Sequence, residues 1–334
     1  MTLAHPQTEK APGQGHDSGR TAVRVGTRGS PLALVQTRAF MQQIADFAAA
    51  HGPAGLSFEE HQIRTTGDRV QDVRLAEIGG KGLFAKEIHE AMLDGRIDLA
   101  VHSLKDLETT MPDGIVLGAT LTREDCRDAL ILGPEAGAPN PADPFACLPQ
   151  GGIIGTSSVR RQSQLLHRRP DLKIALLRGN VQTRLERTER GDFGASLLAL
   201  AGLRRLGLQD RASLALDPEA MLPAACQGIV GVTVRAADAD LVALLAALED
   251  KVSRVVATAE RSMLAFLDGS CRTPIGGHAR LLPDGRLHLS GLVAREDGSF
   301  LLKRSVSGAP EDGDRMGREL GTELRRDSPE ALFA

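Results

Sequence analysis

Lys105 and Asp106 stand side by side just past a short apolar run, 97–103 (IDLAVHS). An ammonium can hold an anion while the neighbouring carboxylate steadies a developing cation or manages a proton. The plainer alternative is a surface turn with two charges. Thr27-Arg28-Gly29-Ser30 ends a second such run and leads into a helical pattern. An Arg and a hydroxyl there suit a carboxylate or phosphate, though Ser30 also serves as an ordinary N-cap. Gly155-Thr156-Ser157-Ser158-Val159-Arg160-Arg161 repeats the arrangement. Leu177-Arg178-Gly179-Asn180 repeats it again, with Arg184 one turn later. Arg grips carboxylates through paired, planar hydrogen bonds, so several Arg at successive strand ends would hold several carboxylates along one cleft edge. Gly79-Gly80-Lys81-Gly82 lacks the spacing and the Ser/Thr of a nucleotide-binding P-loop and reads as a Gly-rich flap carrying a Lys. Cys271 lies in a Gly/Pro-bounded loop, 269–277, where a thiolate is a good nucleophile.

The elements that must position these groups follow a β-α-β-α-β rhythm. Alternation predicts strands at 21–27, 56–64 and 97–103, and helical periodicity predicts helices at 31–50 and 83–93. Strand ends at the mouth of such a sheet are where ligands sit in open α/β folds. A second round follows the Pro/Gly-rich stretch 133–149. Strands are expected at 152–157 and 173–177, helices at 159–168 and 181–190, and an apolar stretch at 195–203. A further strand at 229–234 either joins this second sheet or returns to the first. The final third differs: 238–267 is largely helical, 278–307 alternates as two or three antiparallel strands with Gly-containing turns, and 312–326 closes as a helix.

A chain of 334 residues is too long for one core, so two or three domains are expected. There is no Trp and no Tyr. A single-strand nucleic-acid binder would want aromatic platforms, so nucleic acid is not expected as a partner. No run is long and apolar enough to suggest a membrane span. Residues 1–20 lack an apolar secretory core and read as a solvated tail. The four Cys are far apart with no C-x-x-C, which fits neither a zinc site nor a disulfide framework. No metal is expected, and the setting is a reducing cytoplasm. Net charge is −3, yet 155–211 holds eleven Arg and one Lys against five acids, a balance of +7. A basic middle in an acidic protein points to a local anionic ligand, or more blandly to a solvated helical face.

In order along the chain, TRGSPLAL, IGGKGLFAKEI, DLAVHSLKD, REDCRDAL, IGTSSVRRQSQL, LRGNVQTRL, LPAACQGIVGV and TAERSMLAFLDGSCRTPIG resemble the porphobilinogen deaminase (hydroxymethylbilane synthase) family. The similarity runs from about Val23 to about Arg325. The resemblance implies an α/β fold of two cross-connected lobes, like periplasmic binding proteins, plus a smaller α+β C-terminal domain. On it we expect one lobe from 21–122 and 228–247, a second from 123–227, and a third domain from 248–334. It implies a monomeric transferase that joins four porphobilinogen units, losing ammonia each time, into the linear tetrapyrrole hydroxymethylbilane. The chain would grow on a dipyrromethane cofactor held by a thioether to Cys271. Asp106 matches the family's catalytic Asp, which steadies the azafulvene cation left when ammonia departs. Lys105, Asp106, Ser158, Arg160 and Arg161 match cofactor-binding positions. Arg28, Ser30, Arg178, Arg184 and Arg205 match positions around the substrate and elongating chain. Lys81 and Phe84 match the flap loop.

The chain departs from the family pattern at Leu107-Glu108, where many relatives continue Val-Pro, and at Cys126, where Pro is common. It departs again at Gly194, where Asp is common, and at Arg272 after the attachment Cys. The competing reading is a two-lobed anion-binding protein that does no chemistry.

Overall fold

The computed structural model describes residues 22–51, 56–69, 82–267 and 274–333. The first sheet begins with β1 (Ala22–Arg28), whose Val23 and Val25 are wholly buried. α1 (Pro31–His51) lays Phe40, Ile44 and Ala48, spaced four apart, against it. β2 (Ser57–Ile63), the short α2 (Thr66–Arg69), α3 (Lys86–Leu93), β3 (Leu99–Ser103) and β4 (Ile115–Thr120) follow. The chain then leaves for the second sheet through β5 (Asp128–Leu132), β6 (Ile153–Gly155), α4 (Val159–Arg168), β7 (Lys173–Ala175), α5 (Val181–Glu189), β8 (Ala195–Ala199), α6 (Leu200–Arg205) and β9 (Leu214–Ala215). It returns through β10 (Val230–Arg235).

Strand order is β2-β1-β3-β10-β4 in one sheet and β7-β6-β8-β5-β9 in the other. In each, the first three strands are parallel and a strand from beyond the crossover lies antiparallel between the third and the fourth. The strand expected at 229–234 therefore belongs to the first sheet. The two crossover segments meet: the Glu124 amide donates to the Gly228 carbonyl at 3.1 Å. Gly228 has φ +93, and a Cβ there would stand 2.3 Å from the Glu124 carbonyl oxygen, so glycine is required.

Two expectations change in detail. The helix expected from 83 starts at Lys86, because Gly82 takes φ +76 and residues 83–85 form a turn. The apolar stretch 195–203 divides into β8 and α6, its apolar run being compatible with either element.

The C-terminal part holds α7 (Ala239–Leu248), α8 (Lys251–Phe266), an antiparallel sheet β11 (Ile275–Leu281), β12 (Leu287–Ala294) and β13 (Leu301–Gly308), and α9 (Gly313–Arg326). α9 buries Met316, Leu320 and Leu324 with Gly317 and Gly321 between them. A Cβ on Gly317 would lie 2.5 Å from the Ala259 carbonyl oxygen on α8, so the two helices touch along a glycine face. Gly317→Ala should cost about 1–3 kcal/mol by overpacking, read from the urea midpoint at unchanged m-value.

The core around α8 extends beyond this part. Leu104 and Leu107 from the first lobe, and Cys226 and Ile229 from the returning crossover, pack in the same buried cluster. Glu260 on α8 is wholly buried and accepts from Arg123 on the outgoing crossover at 2.7 Å and from the Cys226 amide at 2.5 Å. The third domain thereby grips both crossovers.

Candidate active site

The ends of β1, β3, β6 and β8 and the loop after β7 face one cavity of about 1080 Å³ between the lobes. That is at the top of the range for a drug-sized ligand, so the cleft accommodates something larger or several units. Lys105 and Asp106 form a tight turn between Leu104 and Leu107, which are 1% and 5% exposed. Burying two leucines fixes the turn from both sides, at about 1.5–3 kcal/mol each. Before it, His102 is buried on β3 against the Thr233 hydroxyl at 2.9 Å. Burial lowers its pKa to about 3, helped by His89 and Arg28, so the ring is neutral and structural.

Across from this turn stand the cations. Arg28 reaches to 3.9 Å from Asp106, is clamped by Asp68, and lies 4.1 Å over the Phe84 ring. Ser30 caps α1, accepting from the Ala33 amide at 3.4 Å. On the second lobe Ser158 caps α4 and Asn180 caps α5, aiming two helix N-termini at the cavity. Arg178 donates to the Gly67 carbonyl at 3.3 Å, across the cleft. Arg184 donates to the Gly179 carbonyl at 2.9 Å. Burial lowers the Arg184 pKa to about 10, and the neighbouring Arg161 and Arg178 push the same way. A cation kept beside two others and out of water calls for an anion.

Beneath the cavity floor lies a group the sequence reading did not single out. Asp128, the first residue of β5, is 0% exposed. It accepts from Arg160 Nη1 at 2.8 Å, Arg161 Nη2 at 2.7 Å and Gln227 Nε2 at 2.9 Å. Burial alone would raise its pKa; the two guanidinium groups outweigh that and hold it below the ordinary carboxylate value. Gln227 accepts from Lys105 Nζ at 3.2 Å, which joins the catalytic-loop candidate to the arginine pair. Burial lowers the Lys105 pKa to about 8, with Asp106 opposing and Arg161 adding to the shift. Among the described residues no cluster of metal-ligating side chains occurs, and no helix is long and apolar enough to cross a membrane.

A family model described as porphobilinogen deaminase, dipyromethane cofactor binding domain, matches residues 23–243. A second, described as the C-terminal domain of porphobilinogen deaminase, matches 254–326. The chain belongs to the porphobilinogen deaminase family. The family member from Paracoccus denitrificans is 49% identical over 93% of this chain and 96% of its own. The porphobilinogen deaminase of Syntrophobacter fumaroxidans is 46% identical over 90% and 94%. Among solved structures, the VFT2 domain of Bordetella pertussis BvgS matches at 15% identity and TM-score 0.42, covering 73% of this chain and 94% of that one.

The cavity gathers most of the residues matched to the family: Arg28, Ser30, Phe84, Lys105, Asp106, Ser158, Arg160, Arg161, Arg178 and Arg184 all line it. Arg205 does not line it. Its guanidinium donates to the Gly228 carbonyl at 2.6 Å and so braces the returning crossover. Cys271 and Lys81 lie outside the described residues; Leu264 and Ile275, on either side of Cys271 in sequence, line the cavity. Of the departures from the family pattern, Leu107 is core, and Glu108 lies 3.6 Å from the buried His89. The donor set fits the family's dipyrromethane, whose carboxylates match the desolvated guanidinium groups.

Proposed function

We propose that the residues of this cavity carry out the porphobilinogen deaminase reaction in the following roles. Lys105, Ser158, Arg160 and Arg161 hold the dipyrromethane carboxylates, and Asp106 faces the pyrrole N–H groups. The cofactor, attached through Cys271, supplies the pyrrole carbon on which the chain grows. Arg28, Ser30, Arg178 and Arg184 bind the acetate and propionate of each incoming porphobilinogen, and Phe84 backs Arg28. Arg205 acts on the chain through the crossover it braces, and Lys81 belongs to the flap. At each addition a C–N bond breaks and ammonia leaves, a C–C bond forms, and a pyrrole carbon gives up its proton. Asp106 offsets the positive charge that develops as ammonia departs and manages that proton. After four additions water releases hydroxymethylbilane.

The observation that carries this reading is a single carboxylate, Asp106, held rigidly beside a surplus of desolvated cations in one interlobe cavity. We assign 21–122 and 228–247 to the first lobe, 123–227 to the second and 248–334 to the third domain, which the paired crossovers support. A monomer in a reducing cytoplasm fits the free thiols of Cys126, Cys147 and Cys226. The test is the intact mass of denatured protein before and after incubation with porphobilinogen. A dipyrromethane excess that vanishes in Cys271→Ser supports the reading; no adduct under either condition overturns it.

Lys105 gives the cleft a pH dependence. As pH rises through about 8 its ammonium loses a proton and the cofactor-free cleft loses a positive charge. Acquisition of the cofactor by apo-protein should therefore slow above pH 8, measured as mass gain against time. Lys105→Gln should start slower and lack that decline. On stability the sign is reversed: the buried ammonium burdens the folded state below about pH 8, and the burden lifts as pH rises toward the ordinary lysine value near ~10.4.

A further inference from the structure

A second cavity, about 500 Å³, lies behind the catalytic turn, at the seam between the first lobe and α8 and α9. Thr109 lines both this cavity and the interlobe cleft. Arg254, Arg261 and Arg318 stand in its wall with one carboxylate, Asp314. Two of the three cations are spoken for: Arg254 pairs with Glu249, and Arg318 donates to Asp314 at 3.0 Å. Ser262 also donates to Asp314, at 2.5 Å, which occupies that carboxylate further.

Arg261 is different. It donates through Nη2 to the carbonyls of Glu108 at 2.7 Å and Thr109 at 3.1 Å. Its Nε and Nη1 make no hydrogen bond among the described residues. Burial lowers its pKa, with Cys226 and Glu108 opposing and Arg254 adding to the shift. A fork of donors without a carboxylate, set in a cavity and backed by two further guanidinium groups, is a receptor for an oxyanion. Leu117, Ala257 and Phe266 supply apolar wall, which excludes water and strengthens the charge interaction.

We propose that this rear cavity binds a compact oxyanion, a phosphate or a small dicarboxylate, on Arg261, Arg254 and Arg318. The bound anion draws on the guanidinium that grips the Glu108 and Thr109 carbonyls, two and three residues from Asp106. Occupancy at the rear therefore couples to ligand affinity at the front, and the coupling is reciprocal. This inference rests on the cavity geometry and does not require the assigned role of Asp106.

Calorimetric titration of the holoenzyme with inorganic phosphate and, separately, malonate tests it; the stronger of the two names the anion class. Arg184→Ala removes a front-cleft cation, Arg318→Glu reverses a rear one, and Arg261→Lys keeps the charge but loses the fork. The expected result is saturable binding that survives Arg184→Ala and weakens at least about tenfold in Arg318→Glu and Arg261→Lys. Saturating anion should also shift the KM for porphobilinogen in the wild type and leave it unmoved in Arg318→Glu. Binding lost in Arg184→Ala and kept in Arg318→Glu would place the anion in the front cleft and overturn the proposal. Absence of saturable heat with both anions would overturn it as well. A failed Cys271 mass test would leave these outcomes standing, so the two readings fail separately.

Discussion

Asp106→Asn is expected to lower turnover by about a hundred- to ten-thousand-fold while the protein stays folded. The amide keeps the size of the carboxylate but can neither offset a developing cation nor take a proton. The turn itself should hold, because Leu104 and Leu107 anchor it in the core shared with α8. The one ion pair lost is a 3.9 Å contact with Arg28, which keeps its clamp on Asp68. Stability should change by less than about 1 kcal/mol, the usual range for a half-exposed pair. Steady-state kinetics discriminate: kcat and kcat/KM should fall together, as for a group acting in the transition state. Turnover within a few-fold of wild type would remove Asp106 from the chemistry.

The second large effect is on stability. Asp128→Ala should cost about 3–5 kcal/mol, because it strands two guanidinium groups that are 5% and 6% exposed. That is a large share of the 5–15 kcal/mol typical of a folded domain, so partial unfolding at ordinary temperatures is expected. Asp128→Asn keeps the acceptor oxygen and should lose less. Both variants also free Arg160, Arg161 and Gln227 to turn, so the cofactor's carboxylate sites loosen even where the fold survives. Urea unfolding with both variants measures the first effect, and cofactor retention by mass the second. A loss below about 1 kcal/mol in Asp128→Ala would show that the arginines find other partners.

Much of this was legible in the sequence where the signal is local. The helix expected at 159–168 matches Val159–Arg168, because Ser158 caps it and a single apolar face runs along it. The three C-terminal strands were legible because Gly285 and Gly298 mark their turns with positive φ. The strands β4, β5 and β9 were not. Ile115–Thr120 carries a glycine at its centre and no clean alternation, and Leu214–Ala215 is two residues long. Asp128 went unnoticed because its partners lie 32, 33 and 99 residues away. In the sequence it is one more charge among Arg123, Glu124, Asp125 and Arg127. The arginines at strand ends were legible as a set, since each follows a recognisable strand and precedes a helix. Arg205 shared their composition but not their place, because what it reaches is a carbonyl brought in by the returning crossover. Cys271 and Lys81 lie outside the described residues, so their roles rest on family resemblance.

The exchange of one strand between the two sheets has a consequence for synthesis. β4 forms the edge of the first sheet but pairs with β10 alone, and β10 begins at Val230, about 110 residues after β4 ends at Thr120. At about 5–20 residues per second, a ribosome takes roughly 5–20 s to deliver the missing strand. Throughout that interval β3 shows a bare backbone edge and β4 has no partner, while the whole second sheet can already close around β5. The second lobe is thus free to mature before the first, against the order in which the chain emerges. The nascent first lobe is the stage at which a chaperone, or a wrongly paired neighbour, finds an open strand.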